Sequence, residues 1–133
     1  MAATADVTDK VIVSLTISGH TVTAEVAHTP MARAKGLMYR DALDENSAML
    51  FIFPKVDRYS MWMMNTRIPL SVAFVDDKGT ILNIAEMMPH TKKTHGSAGL
   101  AKYALEVNQG WFSARGIKAG EKIIGLAQAP EAK

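Results

Sequence analysis

The chain has 133 residues, 48% of them hydrophobic and 21% charged, a length and balance that suit one globular core. Its 15 basic and 13 acidic residues are interspersed and sum to +2, which leaves no electrostatic stripe for nucleic acid; the lack of cysteine excludes disulfides, thiol nucleophiles and thiolate zinc sites. No apolar run reaches the roughly 20 residues that a membrane-spanning helix needs.

The opening "MAATADVTDK" has neither the basic nor the apolar region of a signal peptide. Small polar residues directly before a strand pattern fit a mature exported protein whose leader has been removed, and equally a cytoplasmic start. Residues 1–10 are expected to form a flexible segment, 11–127 a single domain and 128–133 a flexible tail.

In chain order, "VIVSLTI" (11–17) sets Val11, Val13, Leu15 and Ile17 on one face, and "TVTAEVA" (21–27) does the same with Val22, Ala24 and Val26. Ser18-Gly19-His20 between them predicts a hairpin. Thr29 is a helix N-cap, Pro30 the first helical residue, Lys35 a last-turn cation and Gly36 a stop, which predicts a helix of about two turns. "AMLFIF" (48–53) and "YSMWMM" (59–64) are apolar on both faces and predict central strands, the first ending at Pro54. "SVAFVD" (71–76) and "ILNIAEMM" (81–88) predict a second hairpin. "YALEV" (103–107) predicts a strand, "NQGWFSARG" one helical turn, and "KIIGLA" (122–127) a last strand. Seven or eight short strands and two short helices predict a mainly β (α+β) fold: a single antiparallel β-barrel or sandwich-like domain with the helices plugging an end, the alternative being an open α+β sheet.

Together, "RAKGLMYR" (33–40), "AMLFIF", "SMWMMNTRIPL" (60–70), "AFVD" (73–76), "YALEV" and "GIKAGEKI" (116–123) resemble the DUF192 family, also catalogued as UPF0127, over about residues 22 to 124. Arg33, Gly36, Leu37, Met38 and Arg40 match its Arg-x-x-Gly-Leu-Met-x-Arg element. Trp62, Met63, Asn65 and Thr66 match its Trp-Met-x-Asn-Thr element, with Ile68-Pro69-Leu70 following. The chain departs from the family pattern at Ala48, Met64 and Ser71, where glycine, lysine and aspartate are usual, and some members carry cysteine in the loop that here runs from His90 to Gly99. The resemblance implies a compact β-rich domain, exported in bacteria and archaea, and names no reaction.

The polar family-matching residues cluster beside the most apolar strands. An apolar pocket with a few placed polar groups is the usual form of a small-ligand site. The candidate ligand-binding residues are therefore Arg33, Met38, Arg40, Trp62, Met63, Asn65 and Thr66, forming a groove over Trp62 for a small polar or carboxylate-bearing ligand. Each has a structural reading beside the functional one. Asn65 and Thr66 suit a turn that locks the entry to Pro69; Arg33 and Arg40 suit salt bridges to Asp41, Asp44 or Glu45. The methionines suit core filling more than a Cu(I) site assembled from Met61, Met63 and Met64 with Met38, Met49, Met87, Met88, His90 or His95. No catalytic motif occurs; an envelope-polymer hydrolase would draw on Asp76, Asp77, Glu86 or Glu106. The expectation is a binding module without cofactor, resident metal, membrane span or nucleic-acid partner, as a monomer or dimer.

Overall fold

The computed structural model describes residues 10–133, so the expected flexible segment lies almost wholly outside the described residues. Among the described residues there are nine strands and two short helices: β1 (Ile12–Ile17), β2 (His20–Ala27), α1 (Pro30–Lys35), β3 (Ser47–Asp57), β4 (Ser60–Met61), β5 (Leu70–Val75), β6 (Ile81–Met87), β7 (His95–Gly96), β8 (Ala101–Asn108), α2 (Trp111–Ala114) and β9 (Ile123–Ile124). Seven strands make one sheet in the order β6-β5-β8-β3-β2-β1-β9, while β4 and β7 pair apart from it. The sheet curls until its two ends meet at Thr80 and Lys122, where the Ile123 N–H donates to the Gly79 carbonyl at 2.8 Å. The fold is thus the expected barrel-like, mainly β domain. One pairing departs from the antiparallel expectation: β2 and β3 run parallel, because α1 and its flanking loops carry the chain back to the same end of the sheet.

Alternation along β3 separates two cores. Ala48, Leu50 and Ile52 face the barrel interior with Leu15, Ile17, Val22 and Leu105. Met49, Phe51 and Phe53 face outward with Val72, Phe74, Leu37, Met63 and Ile68. The strand that is apolar on both faces is therefore covered on both. Of the two helices, only α2 enters the interior, burying Trp111 and Phe112; α1 buries no residue and lies over the outer face, contrary to the expectation that both plug an end. The α1 cap is as read: Thr29 accepts from the Ala32 N–H at 3.2 Å with Pro30 at the start. At Gly36 (φ +50) a Cβ would meet the Phe51 ring at 3.1 Å, so glycine lets the chain cross that ring and drop Leu37 into the outer core.

Three extents differ from the sequence reading. β3 continues past Pro54 to Asp57, since its register with β8 is interrupted between Ile52 and Asp57 and a residue without an N–H is tolerated there. "YSMWMM" is not a central strand: only Ser60 and Met61 pair, with Gly96 and His95, and the chain then turns over the outer core. Asn65 at φ +54 makes that turn, which explains why the run of methionine does not alternate as a strand. The last strand stops at Ile124, because Gly125 at φ +109 diverts the chain into a 3-10 turn at Leu126–Gln128. Beyond it, the Lys133 N–H donates to the His28 carbonyl at 2.8 Å.

Candidate functional site

Where α1 runs out over the sheet and the 60–66 segment turns back across it, the two leave a cleft of about 170 Å³ between them. One wall is Gly36 to Met38 with Arg33 at its side; the other is Ser60, Met61, Trp62 and Thr66; Phe51 of β3 and Glu106 of β8 form the floor. The walls are pinned together beyond the cleft, where the Tyr39 N–H donates to the Asn65 carbonyl at 2.9 Å. Both residues have positive φ, 66° for Tyr39 and 54° for Asn65, and asparagine tolerates that region better than most side chains. A shallower trough of about 420 Å³ shares Arg33, Phe51, Ser60 and Met61 with the cleft and extends it past Phe53 and Tyr59. Those two rings stack with centroids 3.7 Å apart.

Glu106 is the unusual group. It stands opposite Met49 on one side and Val72 on the other, which puts it on the outer face of β8 amid the apolar outer core. Only 5% of it is exposed, and among the described residues no group donates a hydrogen bond or pairs a charge to its carboxyl. Burial pushes its carboxyl up to about 8. At neutral pH it is thus chiefly a neutral acid at the floor of a cleft, with one O–H to donate and lone pairs to accept. An ionisable group perturbed by desolvation and lining a cleft is a mark of functional sites.

Of the residues singled out in the sequence, Arg33, Met38, Trp62 and Thr66 line this cleft together. Trp62 is 45% exposed at its rim, while Met63 is 1% exposed and packed in the outer core beneath it. Thr66, 5% exposed, donates its hydroxyl to the Met64 carbonyl at 3.1 Å, which leaves the oxygen as an acceptor. Arg33 donates to the Ile52 carbonyl at 3.1 Å and to the Lys133 carbonyl at 2.7 Å. Asn65 lies at the pinned end, outside the lining. Arg40 faces elsewhere: it pairs with Glu25 of β2, which also meets Lys10 at 3.1 Å, rather than with Asp41, Asp44 or Glu45. Burial alone would raise Glu25, but the hydrogen bonds from Arg40 and Lys10 outweigh it and hold the carboxyl below its usual value.

Three grooves elsewhere are roomier, one of about 420 Å³ beside Glu25, His28 and Arg40, one of about 410 Å³ beside Tyr103, Leu126 and Ala132, and one of about 250 Å³ on the other side of the Glu25–Arg40 pair. Size alone favours them; chemistry does not. In the first the carboxylate is already matched by two cations, although the buried His28 Nδ1 has no partner among the described residues. In the second, Lys102 is taken by the Phe53 carbonyl at 2.6 Å and Glu131 is exposed, which leaves no buried charged group to explain. No group of three or more histidine and carboxylate side chains fit to hold a metal occurs among the described residues.

Sequence reasoning had Glu106 only as one of four carboxylates near strand ends. A carboxylate on the outward face of a strand normally reads as solvated, and the signal that this face is covered is the two-faced apolar pattern of β3, the neighbour of β8.

The DUF192 profile, described as an uncharacterized ACR, matches residues 13–125. A crystal structure from Sinorhizobium meliloti 1021, named as a candidate transcription regulator, is similar at 32% identity and a TM-score of 0.85, covering 88% of this chain and 95% of that one. A protein of unknown function from Novosphingobium aromaticivorans DSM 12444 is similar at 32% identity and a TM-score of 0.82, covering 92% of this chain and 97% of that one. No curated protein matches. With a profile match across most of its length and relatives at this identity sharing its whole fold, the chain belongs to the DUF192 family.

Proposed function

We propose that this domain is a non-catalytic binding module, and that the cleft over Phe51 and Glu106 is its ligand site. The observation that carries this is Glu106 itself. Keeping a carboxyl group in an apolar layer without a partner costs stability, and a fold without a use for it would be better served by leucine or methionine there. Around it stand the features of a small-ligand site: walls that mix apolar side chains with a few fixed polar groups, and an exposed indole at the rim. The ligand that fits is a small molecule with a flat or apolar part against Trp62 and a polar group reaching Glu106.

The same cleft offers less to a paired-carboxylate hydrolase, since Glu106 is its one carboxyl; Asp76, Asp77 and Glu86 are not in its lining. For methionine-based copper binding, Met38 and Met61 share the cleft while Met63 is sealed beneath it. Export remains part of the proposal on the strength of the family resemblance.

Thermal-shift screening of cell-wall sugars, nucleotides, carboxylates and amines tests the reading. Compounds that bind are expected to raise the melting temperature of the native protein and to lose their effect in Trp62→Ala. Stabilisation that survives Trp62→Ala unchanged would remove the cleft as the site.

A further inference from the structure

The two buried polar side chains of the cleft, Thr66 and Glu106, both bring oxygen. Thr66 has committed its hydroxyl proton to the Met64 carbonyl and presents an oxygen. Met38 and Met61 line the cleft with apolar side chains, Trp62 adds an indole at the rim, and Glu106 brings a buried carboxyl that nothing among the described residues engages. The donors in the lining belong to its exposed rim: the Trp62 indole N–H, Arg33, which is held by the Ile52 and Lys133 carbonyls, Lys35 and the Ser60 hydroxyl.

Taking the cleft as the ligand site, we infer that it recognises a primary ammonium group, which reaches the Glu106 carboxylate while the ligand's ring or hydrocarbon part lies against Trp62. An ammonium carries three donors and no acceptor, the complement of the buried Thr66 and Glu106 oxygens, and it is the kind of cation that an indole face attracts. It also supplies the counter-charge that the fold withholds. The charged residues lining the cleft are Arg33 and Lys35, both from α1; the 60–66 segment, Phe51, Met49 and Val72 bring none to it. Neither Arg33 nor Lys35 offsets the effect of burial on Glu106, so the carboxyl keeps its proton until a cation arrives. Binding is then an exchange: the ammonium enters with its own protons and the Glu106 proton leaves to solvent.

The probes are 2-phenylethylammonium and its neutral isostere 2-phenylethanol, titrated calorimetrically into the native protein in two buffers of different protonation enthalpy. The amine is expected to release close to one proton per molecule bound at neutral pH. Its affinity should rise about tenfold between about pH 7 and about pH 9, because alkylamines stay protonated to about pH 10. The alcohol should bind more weakly, with no proton release. Glu106→Gln, checked for native near-ultraviolet dichroism, should abolish the proton release and the pH dependence. Equal binding of amine and alcohol without proton release would overturn the ammonium inference and leave the cleft as a site. The same holds if neither probe binds while other screened compounds do so in a Trp62-dependent way. If no compound binds with dependence on Trp62, the ligand-site reading falls together with the inference.

Discussion

Glu106 carries a cost that depends on pH. In the unfolded chain its carboxyl titrates near 4.5, and in the folded protein at about 8. Between these values the native state holds a proton that the unfolded state has given up, so stability falls as pH rises, by up to about 1.4 kcal/mol per pH unit. Below the lower value both states are protonated and the effect vanishes; above the upper value the penalty is complete. Glu106→Gln is therefore expected to be nearly neutral at about pH 4 and to stabilise by a few kcal/mol at about pH 8, as measured by urea denaturation at both. A variant with the pH dependence of the native protein would mean that the carboxyl is better solvated than its burial implies.

The 60–66 segment holds the cleft open through its turn. Asn65 sits at φ +54 and its carbonyl anchors Tyr39 on the opposite wall, so its backbone matters more than its amide. Asn65→Gly is expected to change stability little, while Asn65→Val costs roughly 1–2 kcal/mol, since a β-branched side chain resists this conformation. Denaturant melts of the two variants check the difference. The cap of α1 is a separate support: Thr29→Ala should cost about 1 kcal/mol by the same measurement, through the loss of its bond to the Ala32 N–H.

Local signals of this kind were legible in advance. The Thr29-Pro30 start, the Gly36 stop, the Ser18-Gly19 hairpin and the two faces of β3 all follow from residue type and spacing, and the structure has them. What composition concealed was the path of "SMWMMNT". Its apolar residues suit a strand, yet their burial comes from lying over an already formed sheet, and only the conformation of Asn65 distinguishes the two. Glu25 as the partner of Arg40 was hidden for a related reason: β2 is brought beside that loop by the parallel β2–β3 pairing, which no local pattern encodes.

Closure of the barrel joins the two ends of the chain's fold. β9 pairs with β1 through Thr16 and Ile17 and lies beside the start of β6, and the strand ends where Gly125 passes the backbone of β1. A Cβ there would stand 2.6 Å from the Ser14 carbonyl oxygen, at a φ of +109 that L side chains rarely adopt. Gly125→Ala is expected to destabilise by at least 2–3 kcal/mol, read from thermal melts, because strain and a backbone clash act together where the barrel closes. The interior core and this seam support the sheet, and the outer core is left to carry the cleft. That division explains why both faces of β3 are apolar and why the cleft lies outside the barrel.

The most direct test of the cleft is amide and indole chemical-shift mapping by NMR with a compound that stabilises the protein. The expected result is shifts concentrated at Gly36 to Met38, the Trp62 indole, Thr66 and Glu106. Shifts centred instead on Glu25, His28 and Arg40, or on Tyr103 and Leu126, would contradict the assignment of the site.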